Sequence, residues 1–176
     1  MKRKKQKVNM FFVDDDPMYL KTLENGFIKE SIHYTCKVNT FLTGDECLRN
    51  IHLKPDIIVL DYYLNGFNSR AINGLEVLKK IKKAMPGTHV IMLSGQDQID
   101  VAVNSMKFGA FDYVVKNESA FVRTQNTINN IIHNMKLKAE TKEHKLWLTI
   151  VSACLLTLIT VIVIIGFLFP GAFKPL

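Results

Sequence analysis

The sequence predicts an α/β fold, a doubly wound sheet of five parallel strands in the order 2-1-3-4-5, followed by one transmembrane helix. Three observations predict the alternating parallel α/β elements and the span. Five short β-rich runs alternate with helical patterns between residues 8 and 145. The third and fourth runs are almost continuously apolar, as strands covered on both faces are. Leu146 to Phe169 contains no charged residue.

The strand runs are VNMFFV (8–13), TCKVNTF (35–41), DIIVL (56–60), HVIMLS (89–94) and FDYVV (111–115). The intervening segments are long enough for crossover helices. In the first, Asp16 reads as a helix cap with Pro17 at the first helical position and Leu20, Leu23 and Phe27 on one face. In the second, Thr43 opens TGDECLRNI with Glu46 three residues on, a capping-box spacing, and Asp45 also reads as a cap. Gly74 starts a helix with Leu75, Leu78 and Ile81 as core candidates, closed by Pro86-Gly87. A last helix over about 119–143 carries Phe121, Ile128, Ile131, Ile132 and Met135 at helical spacing, with no breaker before the apolar run. Between the third strand and Gly74 lies a polar loop, Tyr62 to Asn73, long for a βα connection.

The apolar run of 24 residues measures about 36 Å as a helix, enough to cross a hydrocarbon core of about 30 Å with some tilt. Its C-terminal position does not fit a cleavable signal peptide. Lys136, Lys138, Lys142 and Lys145 precede it and only Lys174 follows, so the positive-inside rule places the preceding part in the cytoplasm and the chain in the cytoplasmic membrane. The expected organisation is a basic arm (1–7), a globular domain (8–138), a juxtamembrane segment (139–145), the span (146–169) and a short tail (170–176). The formal charge of +7 is concentrated in that arm and beside the span. It points to a solvated or lipid-facing arm, and no nucleic-acid partner is expected. Cys36, Cys47 and Cys154 have neither metal-like nor disulfide-like spacing and read as core filler in a reducing compartment.

The chemistry lies at the strand ends. In an open parallel sheet, ligands bind beyond the carboxyl ends of the strands where strand order reverses, here between strands one and three. Asp14 and Asp15 end strand one and Asp61 ends strand three. Carboxylates crowded in one pocket need a counter-charge, and an oxygen-only donor set suits a hard cation such as Mg2+. Ser94 and Lys116, at the ends of strands four and five, add a hydroxyl and an ammonium to the same rim, an arrangement suited to a phosphoryl group.

These residues resemble the receiver domain of two-component response regulators, over about residues 8–138, through VDDDP, IIVLD, LSG and GAFDYVVK in the family's order. The resemblance implies a flavodoxin-like receiver fold in which Asp61 accepts a phosphoryl group from a sensor histidine kinase, a phosphotransfer protein or a small phosphodonor. Asp14, Asp15, Asp61 and the backbone carbonyl of Tyr63 would hold Mg2+. Ser94 and Lys116 would each bind a phosphoryl oxygen, and Tyr113 would be the aromatic switch that follows Ser94 inward. That coupling would repack the face of helix four, strand five and helix five, a surface for a partner or a second copy. Gly95 fits the small residue that leaves phosphate access. Tyr63 and Gln96 occupy positions through which the family tunes dephosphorylation.

Three departures stand out. Asn117 follows Lys116 where the family usually has a proline in a cis peptide bond, and a cis bond to a non-proline costs about 3 kcal/mol. Asn65 replaces the usual proline after Asp61, and the loop runs about five residues longer before Gly74. The expected protein is a membrane-anchored, single-domain response regulator, not an enzyme. One rival is a receiver-fold membrane scaffold that never accepts phosphate. The other is a haloacid dehalogenase-like phosphohydrolase with Asp14 as nucleophile and Asp16 as acid, which leaves Asp61 without a role.

Overall fold

The computed structural model describes residues 6–29, 34–64, 73–95 and 98–168. The chain divides into two compact units, Met1–Ile132 and His133–Leu176.

The first unit is a parallel sheet with strand order β2-β1-β3-β4-β5. Its elements are β1 (Gln6–Val13), α1 (Pro17–Lys29), β2 (Tyr34–Phe41), α2 (Gly44–Arg49), β3 (Ile57–Asp61), α3 (Gly74–Ala84), β4 (His89–Ser94), α4 (Ile99–Lys107), β5 (Asp112–Val115) and the start of α5 (Ala120–Leu168), with a 3-10 turn over Ile51–Leu53. The predicted fold class and order are observed. β1 begins two residues before the predicted run, because Gln6 and Lys7 pair with Tyr34 and Thr35. β3 extends to Asp61, which pairs with Leu93, so this carboxylate stands on the last rung of a central strand.

The continuous apolar runs behave as central strands. All five residues of β3 and five of six in β4 are buried. Phe11, Ile58, Leu60, Met92, Leu78 and Ile81 form one core layer, and Phe12 meets Phe27 of α1 at 5.4 Å between ring centroids. On α3 the buried positions are Gly74, Val77, Leu78 and Ile81. Leu75, expected in that set, is only partly buried, since Val77 lies where the helix faces the sheet. Cys47 is a core residue, whereas Cys36 is half-buried and Cys154 exposed, so only one cysteine fills the core.

Helix starts follow the predicted capping with one correction. Asp16 Oδ1 accepts from the Met18 and Tyr19 amides at 2.8 and 3.2 Å. Thr43 Oγ1 accepts from the Glu46 amide at 3.2 Å, and Glu46 Oε2 reaches back to the Leu42 amide at 3.3 Å. Asp45 is therefore not a cap; it lies in the first turn, where its charge favours the helix N-terminus.

The long connection after β3 is closed at its base. The Gly74 amide donates to the Tyr62 carbonyl at 2.9 Å, and a Cβ built on Gly74 would lie 2.1 Å from the Asp61 carbonyl oxygen. Only glycine lets α3 start this close to the end of β3. Asn65, at the position of the usual proline, falls outside the described residues.

In the second unit, α5 is helical through the predicted juxtamembrane residues. Lys145–Ile164 is long and apolar enough to cross a membrane, and none of it is buried. The hydroxyls of Thr149, Ser152, Thr157 and Thr160 each donate to a carbonyl three or four residues earlier, which satisfies them within the helix.

Gly74→Ala must push α3 off the end of β3 and is expected to lower stability by about 1–3 kcal/mol. Gly95→Ala meets no atom within 4 Å and is expected to change stability by no more than about 0.5 kcal/mol. Denaturant midpoints of the two variants check the contrast.

Candidate functional site

Backbone hydrogen bonds tie the strand ends into one rim. The Asp14 amide donates to the Phe41 carbonyl, the Tyr62 amide to Leu93 at 2.8 Å, and the Lys116 amide to Ser94 at 2.7 Å. The last of these aligns the residue after β5 with the end of β4. The Lys116–Asn117 bond is trans, as are all peptide bonds among the described residues.

The three consecutive acids take three environments. Asp14 is 1% exposed, Asp15 half-buried and Asp16 exposed. Asp14 Oδ1 accepts from the Asp16 amide at 3.0 Å, and Asp16 turns away to cap α1. Asp61, from β3, is 3% exposed. One carboxylate oxygen from each of Asp14, Asp15 and Asp61 lies within 4.8 Å of the others. Lys116 Nζ sits 2.6 Å from Asp14 Oδ2 and 3.0 Å from Asp61 Oδ2.

The charges at this rim perturb one another. Burial pushes the Asp61 carboxyl up to about 6. The Lys116 charge opposes that shift, and Asp14 and Asp15 add to it. Asp14 is raised for the same leading reason, with Lys116 again opposing. For Lys116, burial works against the charged form, but the two carboxylates outweigh it and its pKa rises. An ammonium between two carboxylates is thus the internal counter-charge of this pocket.

That neutralisation is incomplete. Asp61 Oδ1 is buried and has no hydrogen-bond partner among the described residues. An orphaned carboxylate oxygen beside two further carboxylates, with no His or Cys among the donors, fits a hard, oxygen-seeking divalent cation. Asp14, Asp15 and Asp61 are the side chains that could hold it.

Ser94 is 1% exposed at the end of β4. Tyr113 is buried in the core layer with Met92, Val101 and Ala110. Tyr63 is exposed and meets Tyr62 edge-to-face at 4.8 Å between centroids. Gln96 falls outside the described residues.

Sequence reasoning missed Tyr19. Its ring lies 4.9 Å from Lys116 Nζ, and its buried hydroxyl has no hydrogen-bond partner among the described residues. Burial raises its pKa. A cation over an aromatic face is held in place by the ring quadrupole. The signal was present: a helix opened by Asp16-Pro17 beside the acids must turn a first-turn side chain toward the rim.

Residues 10–128 match the family described as response regulator receiver domain. The chain belongs to this family. Among curated receiver relatives, the nitrogen assimilation regulatory protein NtrX of Azorhizobium caulinodans is 31% identical over 78% of this chain and 29% of its own length. The transcriptional regulatory protein MalR of Bacillus subtilis is 27% identical over 74% of this chain and 52% of its own. The crystal structure of NtrX from Brucella abortus superposes with a TM-score of 0.65 at 27% identity, covering 78% of this chain and 30% of that one. The chain therefore spans about half the length of MalR and under a third of either NtrX. Similarity to these proteins is similarity to their receiver part, a signalling domain built around an acidic pocket.

The Asp61 pKa predicts a pH dependence in metal-free protein. Its folded value, about 6, exceeds the ordinary 3.8, so the protonated carboxyl is favoured by folding. That stabilisation is complete below about pH 4 and is lost as pH rises through 6, a fall of about 3 kcal/mol. With a chelator present, the denaturant midpoint is expected to decline between pH 4 and 7, and Asp61→Asn is expected to flatten the decline.

Proposed function

We propose that the protein is a membrane-anchored response regulator that accepts a phosphoryl group on Asp61. One observation carries this reading: Asp14 and Asp61 each place a carboxylate oxygen within 3.0 Å of Lys116 Nζ at the carboxyl end of the sheet, with one Asp61 oxygen left without a hydrogen-bond partner among the described residues. An Asp61 carboxylate oxygen would attack phosphorus, forming an acyl phosphate. The bond broken is the P–N bond of a phosphohistidine or the P–O bond of a small phosphodonor, and imidazole or acetate leaves. The donor is a sensor histidine kinase or a phosphotransfer protein.

Mg2+, held by Asp14, Asp15, Asp61 and the Tyr63 carbonyl, would supply charge neutralisation for the transferring group. Lys116, steadied by the Tyr19 ring, would pair with one phosphoryl oxygen, and the Ser94 hydroxyl would donate to another. Tyr113 would then follow Ser94. This movement would alter the surface of α4 and β5, where Ile99, Val103 and Met106 of α4 form an exposed apolar stripe at helical spacing. A partner or a second copy of the chain would read that stripe.

The apolar stretch of α5 supports anchoring in the cytoplasmic membrane, and the lysines before it support a cytoplasmic receiver. Asp16 is occupied as a helix cap, which speaks against the phosphohydrolase reading.

Wild-type protein incubated with Mg2+ and acetyl phosphate is expected to gain one phosphoryl group by intact mass spectrometry. Asp61→Asn gains none, and Lys116→Ala is slower by on the order of 100-fold. No label on wild type supports the scaffold, and equal label on Asp61→Asn removes Asp61 from its role. Anchoring predicts that the chain stays with the membrane fraction after alkaline carbonate washing; release into the supernatant contradicts it.

A further inference from the structure

In a parallel sheet every strand starts at one end, and the crossover helices run back so that their C-termini gather there. The acid rim lies at the other end. At the strand-start end of this unit stand Lys7 at the opening of β1, Lys54 just before β3, Lys82 and Lys83 in the last turn of α3, and Lys107 closing α4. All but Lys82 are exposed.

Among the described residues acids do not offset them: two carboxylates, Asp56 and Asp112, lie near this end, and both are engaged. Asp56 Oδ2 accepts from the Asn9 amide at 2.8 Å. Asp112 accepts from the Tyr113 amide at 2.8 Å and from Thr127 Oγ1 at 2.9 Å. The exposed acids Asp16, Asp45, Asp100 and Glu118 open helices or follow strands at the opposite end. Among the described residues the charges are therefore polarised along the strand direction.

Exposed apolar groups lie among these lysines. Leu53 and Phe108 are each 37% exposed. Phe108 lines a cleft of about 460 Å³ with Lys79, Lys82 and Lys107, and Lys79 Nζ stands 4.3 Å from its ring centroid. Lysines near helix C-termini do complement helix dipoles. That accounts for Lys82, Lys83 and Lys107 but not for Lys7, which lies in a strand, nor for the exposed Leu53 and Phe108.

We propose that this basic, aromatic-bearing end docks on an anionic lipid surface, which leaves the acid rim at the far end open to a phosphodonor. Charge complementarity selects the occupant, because basic side chains with interspersed apolar groups suit an anionic headgroup layer. Proximity supports it, since the same chain carries a segment long and apolar enough to cross a bilayer, which would keep headgroups at high effective concentration. The inference rests on the membrane reading above.

The test uses the full chain with vesicles of phosphatidylcholine alone or mixed with phosphatidylglycerol. Flotation with phosphatidylcholine vesicles in about 1 M salt, where the Debye length is about 3 Å, reads the anchor alone. Lysine acylation followed by mass spectrometry reads the docking. Lys54, Lys83 and Lys107 are expected to react on the order of tenfold more slowly on phosphatidylglycerol vesicles, with the protection lost in high salt. Lys21, on the second turn of α1, is expected to react equally on both. Lys83→Glu combined with Lys107→Glu is expected to abolish the protection of Lys54.

Equal rates on both vesicles, with the chain still floating, overturn the docking and leave the anchor intact. Failure to float, with salt-sensitive protection on phosphatidylglycerol, keeps the docking and removes the anchor. Persistent Lys54 protection in the double variant overturns the docking. Protection by duplex DNA on phosphatidylcholine vesicles, with none from phosphatidylglycerol, overturns it in favour of nucleic acid.

Discussion

The ion triad of Asp14, Lys116 and Asp61 is the interaction on which the rest of the structure depends. Burying one carboxylate costs several kcal/mol, and two side by side cost more. Lys116, 2.6 Å from one and 3.0 Å from the other, offsets part of that cost. It does so with a single charge against two, or against three when Asp15 is included. The raised Asp61 and Asp14 pKa values express the remainder. A rim left short of positive charge suits a divalent cation.

Holding that rim requires backbone more than side chains. The Asp61 carboxylate is placed by a strand buried at every residue, and its carbonyl faces the first turn of α3 so closely that only glycine fits there. The Lys116 amide is bonded to the end of β4, so the lysine is aimed by the sheet whether or not a proline follows it. Asp16 shows the same economy. Its capping bonds start α1, and that start brings the Tyr19 ring against the Lys116 ammonium. Three adjacent acids thus become a counter-ion partner, a half-buried rim oxygen and a helix cap, because successive residues leaving a strand face different directions.

Much of this was legible in the residues themselves. The central strands and the placing of Asp14, Asp15, Asp61, Ser94 and Lys116 at strand ends followed from apolar runs ending in polar residues, whereas the strand order is what the resemblance to receiver domains implies. What escaped was what depends on three-dimensional neighbours. Leu75 and Val77 are equally apolar, and only the docking angle of α3 decides which is buried. Asp45 and Thr43 both suit a helix start, and only backbone conformation decides which caps. Tyr19 was missed because a cation–aromatic contact joins residues 97 positions apart, which a single sequence does not encode as a spacing. The polarity of the lysines was hidden for a similar reason: Lys7, Lys54, Lys83 and Lys107 are dispersed along the chain and gather only because every strand of the sheet points the same way.

The central claim is that the buried carboxylates are completed by a divalent cation, and isothermal titration calorimetry with Mg2+ at neutral pH tests it most directly. One binding site on wild-type protein, weakened at least about tenfold by Asp14→Asn and by Asp61→Asn, is the predicted result. No measurable binding, or equal affinity in the wild type and both variants, would contradict the account.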